Sequence, residues 1–171
     1  MEGVKYWTSD EIVDPRGSFV KQYTHTGSGL TDPFNLHEIF TSTSLPGVVR
    51  GFHLQIGASE NFRIIQLLSG KVLDVLLDLR TDSKTLGNFQ QRELTYGRNE
   101  TLLIPPGVAH GFQALEPSTM LYLTSSGWDP KNDTGVNPLS AGFQWPQPVT
   151  NISERDKQLP SLDTFLLVDD E

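Results

Sequence analysis

In the stretch "VVRGFHLQ", residues 48 to 55, Arg50 and His53 interrupt a run in which Val48, Val49, Phe52 and Leu54 suit a buried strand. An imidazole titrates near neutral pH, so a histidine held among apolar walls can take up and return a proton or ligate a metal. A guanidinium in the same run offers a permanent cation to an anionic or polarised oxygen. A second histidine, His110, follows the sharp turn Pro105-Pro106-Gly107 in "LIPPGVAHGFQAL" and stands beside Gly111. In "DVLLDLR", Asp74 and Asp78 are four residues apart and share one face of a strand. With Arg80 they form either an interior ion network or a salt bridge at a rim.

Residues 105 to 110 fit Pro-x-Gly-x-x-His, the second half-motif of cupin barrels. The first half-motif would set two histidines one residue apart and then a carboxylate. Here His53 is followed by Gln55 where the second histidine would stand, and Glu60 falls at the spacing of the acid. His53, Gln55, Glu60 and His110 could hold a divalent ion weakly; the loss of one imidazole favours a metal-free barrel.

The elements that must carry these residues read as strands. "FRIIQLLSG" (62 to 70) and "KVLDVLLDLR" (71 to 80) are apolar runs joined by Ser69-Gly70, which predicts a hairpin. Runs at 88 to 94, 100 to 106, 110 to 115 and 119 to 126 follow, with turn residues between them. That rhythm predicts an all-β sandwich or barrel. From residue 129 the chain is rich in Pro, Gly and Asn and reads as an ordered tail packed on the barrel; residues 153 to 162 predict one short helix, capped by Ser153 and stopped before Pro160. The 171 residues suit a single domain spanning 1–171. A net charge of -8 opposes nucleic-acid binding, and no apolar run is long enough to span a membrane. The N-terminus has no apolar signal segment, so the cytoplasm is the expected compartment. With no cysteine, the chain has no disulfide, thiolate zinc site or cysteine nucleophile.

The chain resembles the dTDP-4-dehydrorhamnose 3,5-epimerase family, sugar-nucleotide epimerases with a cupin-type jelly-roll β-barrel. "DPRGSF" (14 to 19), "PGVVRGFHLQ" (46 to 55), "LSGKVLDVLLDLRTDSKTLG" (68 to 87), "LLIPPGVAHGFQAL" (102 to 115), "LYLTSSGWDP" (121 to 130) and "SERD" (153 to 156) carry the likeness. It implies removal of a proton beside the C4 ketone of a nucleotide-diphosphate 4-keto-6-deoxy sugar and its return to the opposite face, at C3 and/or C5, with no cofactor and no metal. Such enzymes serve deoxysugar biosynthesis for surface polysaccharide or a glycosylated metabolite. The resemblance assigns His53 as the base, Asp156 as its partner and Tyr122 as the opposing acid. Arg63 stands where the family has a lysine for the enolate oxygen. Arg50 would meet the diphosphate or position the sugar, and His110 would contact sugar hydroxyls or the site's hydrogen-bond network. Gln55 completes the Arg-Gly-x-His-x-Gln motif. Arg16 and Phe19 would reach the nucleotide on a strand that exchanges between the subunits of a homodimer.

Departures from the family pattern gather at ligand-facing positions. Lys21 replaces an acidic residue, Trp128 a tyrosine, and Glu38 and Phe40 a Gln and an Asn. They predict an altered nucleotide, an altered sugar or inversion at one carbon. Two other classes are compatible with the residues: a metal-dependent cupin enzyme using His53, Glu60 and His110, and a non-catalytic sugar-nucleotide-binding barrel.

Overall fold

The computed structural model describes residues 1–24 and 34–168. In chain order the strands are β1 (Lys5–Thr8), β2 (Glu11–Asp14), β3 (Gly17–Val20), β4 (Glu38–Ser44), β5 (Val49–Gln55), β6 (Arg63–Ser69), β7 (Lys71–Asp78), β8 (Phe89–Thr95), β9 (Glu100–Ile104), β10 (Val108–Ala114), β11 (Ser118–Thr124) and β12 (Asp133–Gly135). Two short helices close the chain, α1 (Glu154–Gln158) and α2 (Leu162–Val168). One five-stranded sheet runs β1-β9-β6-β11-β4 and a second runs β12-β5-β10-β7-β8, with every pairing antiparallel. The fold is a cupin-type jelly-roll barrel.

Burial follows from the strand patterns. β11 alternates, sending Ser118, Met120, Tyr122 and Thr124 inward and leaving Leu121 and Leu123 half-buried on the outer face. β10 is buried along its whole length. One of its faces joins the inter-sheet core with Ile65, Leu76, Leu102 and Met120. The other lies beneath Val136, Phe143, Trp145 and Phe165, so the proline-rich tail packs on the barrel as its composition predicted. A strand covered on both sides loses polar alternation, which is why "VAHGFQA" reads as continuously apolar apart from His110 and Gln113.

The hairpin expected at Ser69-Gly70 is not one. β6 pairs with β9 and β11 while β7 pairs with β8 and β10, so the chain crosses from one sheet to the other at Gly70. Gly70 has φ +78°, and a Cβ there would stand 2.1 Å from the Pro117 carbonyl oxygen, so the corner requires glycine. Of the two readings of Asp74, Asp78 and Arg80, an interior network or a rim salt bridge, the salt bridge holds for Asp78 and Arg80 alone. Asp74 pairs with His110 inside the barrel, whereas Asp78 meets Arg80 at 2.7 Å and also accepts from Ser83 and Thr85. Arg80 lies beyond the end of β7 and turns back on Asp78 rather than reaching Asp74, six positions away. The helix capped by Ser153 is present as α1, its Oγ accepting from the Asp156 amide at 3.0 Å. The sequence patterns did not predict α2, nor β1, β4 and the three-residue β12.

Candidate active site

β5 explains how Arg50 and His53 occupy one apolar strand. Three residues apart, they would face opposite sides of a regular strand. The β5–β10 ladder pairs His53 with His110 but Arg50 with Phe112, so β5 carries an extra residue there. This bulge turns both side chains to the same cavity while Phe52 packs into the core beneath the tail. Gly51 permits it: φ is +126°, and a Cβ would stand 2.4 Å from the Gly111 Cα.

The cavity has a volume of about 270 Å³, and both sheets line it. From β5, His53 Nε2 stands 2.7 Å from Asp156 Oδ1. Asp156 Oδ2 accepts the Gly51 amide at 3.3 Å. Burial works against charge on Asp156, but the bonds from His53 and the Gly51 amide outweigh it and hold the carboxyl below its ordinary value. With Nε2–H donated to the carboxylate, Nδ1 carries the free lone pair.

From β11, Tyr122 is nearly buried, its hydroxyl 3.3 Å from Ser42 Oγ and 3.7 Å from Met120 Sδ. Burial pushes the phenol up to about 12, so it carries its proton at neutral pH. From β6, Arg63 donates to the main-chain carbonyls of His53 and Val108. Burial draws it down to about 10, which leaves it a cation. It bridges the two sheets, rather than pairing with Glu60 or Asp74.

The remaining expected residues are divided between the cavity and elsewhere. His110 lines it, with Nε2 held 2.6 Å from the fully buried Asp74. Arg50 lines it from the rim, bonded to Ser44 Oγ and the Thr43 carbonyl. Gln55 lines it and accepts the Asp129 amide at 3.2 Å, tethering the loop that carries Trp128. Trp128 stands at the mouth, its amide on Glu38 and its indole N–H on Asp133. Arg16 and Phe19 do not join this cavity; they sit on the exposed β2–β3 hairpin, where Arg16 pairs with Asp14. Glu60 lines a different cavity, so the triad of His53, Glu60 and His110 does not converge. Among the described residues, no three His, Cys, Asp or Glu groups are placed to share one ion.

The sequence reading missed several lining residues, three of which bear on the site's polar network. Ser42, Asp133 and Arg155 all line the cavity, and Arg155 pairs with Asp133 at 2.6 Å. Arg155 is adjacent to Asp156 in "SERD", the one signal that could have found it. Ser42 would have followed from recognising "EIFTSTS" as a strand with Glu38, Phe40 and Ser42 on one face. Asp133 lies in a loop-like segment whose composition carries no such signal.

A carboxylate-backed imidazole, a protonated phenol and a buried cation around one cavity are the equipment of an acid–base isomerase. Comparison with known proteins agrees. Residues 1–164 match the family model described as dTDP-4-dehydrorhamnose 3,5-epimerase. The chain is 32% identical over 162 residues to the dTDP-4-dehydrorhamnose 3-epimerase of Streptomyces niveus, covering 92% of this chain and 78% of that protein. Among solved structures it is similar to NovW, a 4-keto-6-deoxy sugar epimerase from the novobiocin biosynthetic gene cluster of Streptomyces spheroides. That match has TM-score 0.92 and 30% identity, covering 98% of this chain and 87% of the other. It is also similar to ChmJ, a 3'-monoepimerase from Streptomyces bikiniensis solved with dTDP-quinovose, with TM-score 0.90 and 26% identity over 98% and 88% of the two chains. The chain belongs to the dTDP-4-dehydrorhamnose 3,5-epimerase family. Its enzyme class is therefore isomerase.

Proposed function

We propose that the protein inverts C3 and/or C5 of a nucleotide-diphosphate 4-keto-6-deoxy sugar, supplying a deoxysugar for surface polysaccharide or a glycosylated metabolite. The observation that carries this reading is the placement of the His53–Asp156 pair and the protonated Tyr122 on different sheets around one cavity. His53 Nδ1 removes the proton beside the ketone, and Asp156 stabilises the imidazolium that forms. The negative charge moves to the C4 oxygen, where Arg63 stabilises it without surrendering a proton. Tyr122 returns a proton to the opposite face. His110 and Gln55 meet sugar hydroxyls, Arg50 the diphosphate, and Trp128 stacks on the base.

The working unit in this reading is a homodimer with exchanged N-terminal arms. The β2–β3 hairpin exposes Ile12, Val13 and Phe19. Ile39, 58% exposed, faces Leu123 across β4 and β11 on the outer surface of the same sheet. A second copy would cover this apolar strip and receive Arg16 and Phe19 at its own cavity mouth. NMR of dTDP-4-keto-6-deoxyglucose incubated with the protein in heavy water tests the chemistry. Loss of the C3 or C5 proton supports it; tight binding without exchange at either carbon marks a non-catalytic barrel.

A further inference from the structure

Phe40 and Tyr122 are register partners across β4 and β11. Their rings stack with centroids 4.8 Å apart and planes 11° from parallel. His110 meets the Tyr122 ring edge-on at 6.1 Å. Ser42 and Met120 hold the hydroxyl. The phenol is therefore fixed on two sides of its ring and at its oxygen. Swinging that oxygen sideways would break the stack and the bond to Ser42.

C3 and C5 both flank the C4 ketone. Loss of a proton from either gives an enolate on the same oxygen, so one cation serves both. The proton carriers are different, because base and acid must each stand over the particular carbon being inverted. An enzyme that inverts both must shift the sugar between them or let a carrier move to follow it. At about 270 Å³ the cavity lies at or below the small end of ligand sites, and Phe40 occupies part of its wall. A smaller, polar side chain at this place would leave the Tyr122 ring free on one face and widen the wall.

We propose that Phe40 is a specificity-determining residue: by clamping Tyr122 it confines inversion to one of the two carbons beside the ketone. This rests on the epimerase reading above. The test compares the wild-type protein with Phe40→Asn, Phe40→Ala and the stack-preserving Phe40→Tyr. Each is incubated with dTDP-4-keto-6-deoxyglucose in heavy water, and NMR follows the configuration and deuterium content at C3 and C5. The measured quantity is the ratio of inversion rates at the slower and faster carbons, which does not depend on the folded fraction of a variant. The wild type is expected to invert one carbon at least tenfold faster than the other. Phe40→Asn and Phe40→Ala should raise the ratio at least fivefold, and Phe40→Tyr should leave it unchanged. Comparable inversion of both carbons by the wild type would overturn the inference and leave the epimerase reading standing. So would an unchanged ratio in both truncated variants. Absence of exchange at either carbon in every variant would overturn both.

Discussion

Asp156 meets His53 at 2.7 Å although 103 residues separate them. The contact is made by the first turn of α1, where Ser153 caps the Asp156 amide while the carboxylate reaches the β5 bulge. A local helix signal thus fixes a long-range contact. His53→Asn and Asp156→Asn should each lower proton exchange by ~10²-fold or more, since a positioned base and its orienting carboxylate contribute on that scale. Circular dichroism should be unchanged for His53→Asn, whose side chain is partly exposed. Wild-type exchange by that variant would remove His53 from the mechanism.

Tyr122→Phe separates the two proton transfers. Inversion should fall by ~10²-fold or more. Exchange without inversion should fall far less, because His53 can return a proton to the face from which it took it. Parallel NMR assays of deuterium content and product configuration check this; equal losses in both would argue against Tyr122 as the acid.

Arg63→Met should reduce kcat by ~10²–10³-fold, the scale of losing one donor at a developing oxyanion. Arg63→Lys should recover at least tenfold of that loss, because the charge is restored even though the two carbonyl bonds made by the planar fork are not. Steady-state kinetics on purified, folded variants provides the comparison. A lysine variant as slow as the methionine variant would mean that position, rather than charge, is what Arg63 supplies.

Exchanged arms predict a split between binding and turnover. Arg16→Ala should raise KM about tenfold with kcat nearly unchanged, as expected for a lost phosphate contact remote from the reacting carbon. Sedimentation should give twice the chain mass for the wild type, and Phe19→Asp should shift it toward monomer. A fully active monomer at micromolar concentration would refute the arrangement.

Asp78 gives a stability test independent of catalysis. Burial opposes its charge, but bonds from Arg80, Ser83 and Thr85 hold its carboxyl far below the ordinary 3.8. Its folded-state value is thus depressed. The stabilisation is present above the unfolded value and is lost as pH falls through the folded one. Asp78→Asn should cost about 3 kcal/mol at pH 7, as when a buried pair is broken. The difference from wild type should shrink steadily below about pH 4. Urea melts of both proteins across this range supply the measurement.

The barrel and most of its strands were legible because apolar runs with turn residues between them carry their period locally. The sheet to which each strand belongs was not. Nothing in "LLSGKV" distinguishes a two-residue hairpin from a corner, and only the Pro117 carbonyl packed against Gly70 settles it. The same limit applied at the site. The residue types of His53, Tyr122 and Arg63 were readable as motif positions, but the bulge that puts Arg50 beside His53 depends on Gly51 meeting Gly111 from another strand. β4 was missed because "EIFTSTS" buries only its last residue fully, and its weak apolar content left Ser42 and the Phe40 stack unseen.

The imidazole stands on one sheet and the phenol on the other, so the spacing between them is the thickness of the barrel at that level. Ile65, Leu76 and Met120 belong to the core packed between the two sheets, and Arg63 ties across to two carbonyls of the facing strands. In the proposed mechanism the core would then act as a calliper on the substrate. Trimming a methylene far from the sugar would alter the span between the two proton carriers, and reaction rate would become a sensitive gauge of interior packing.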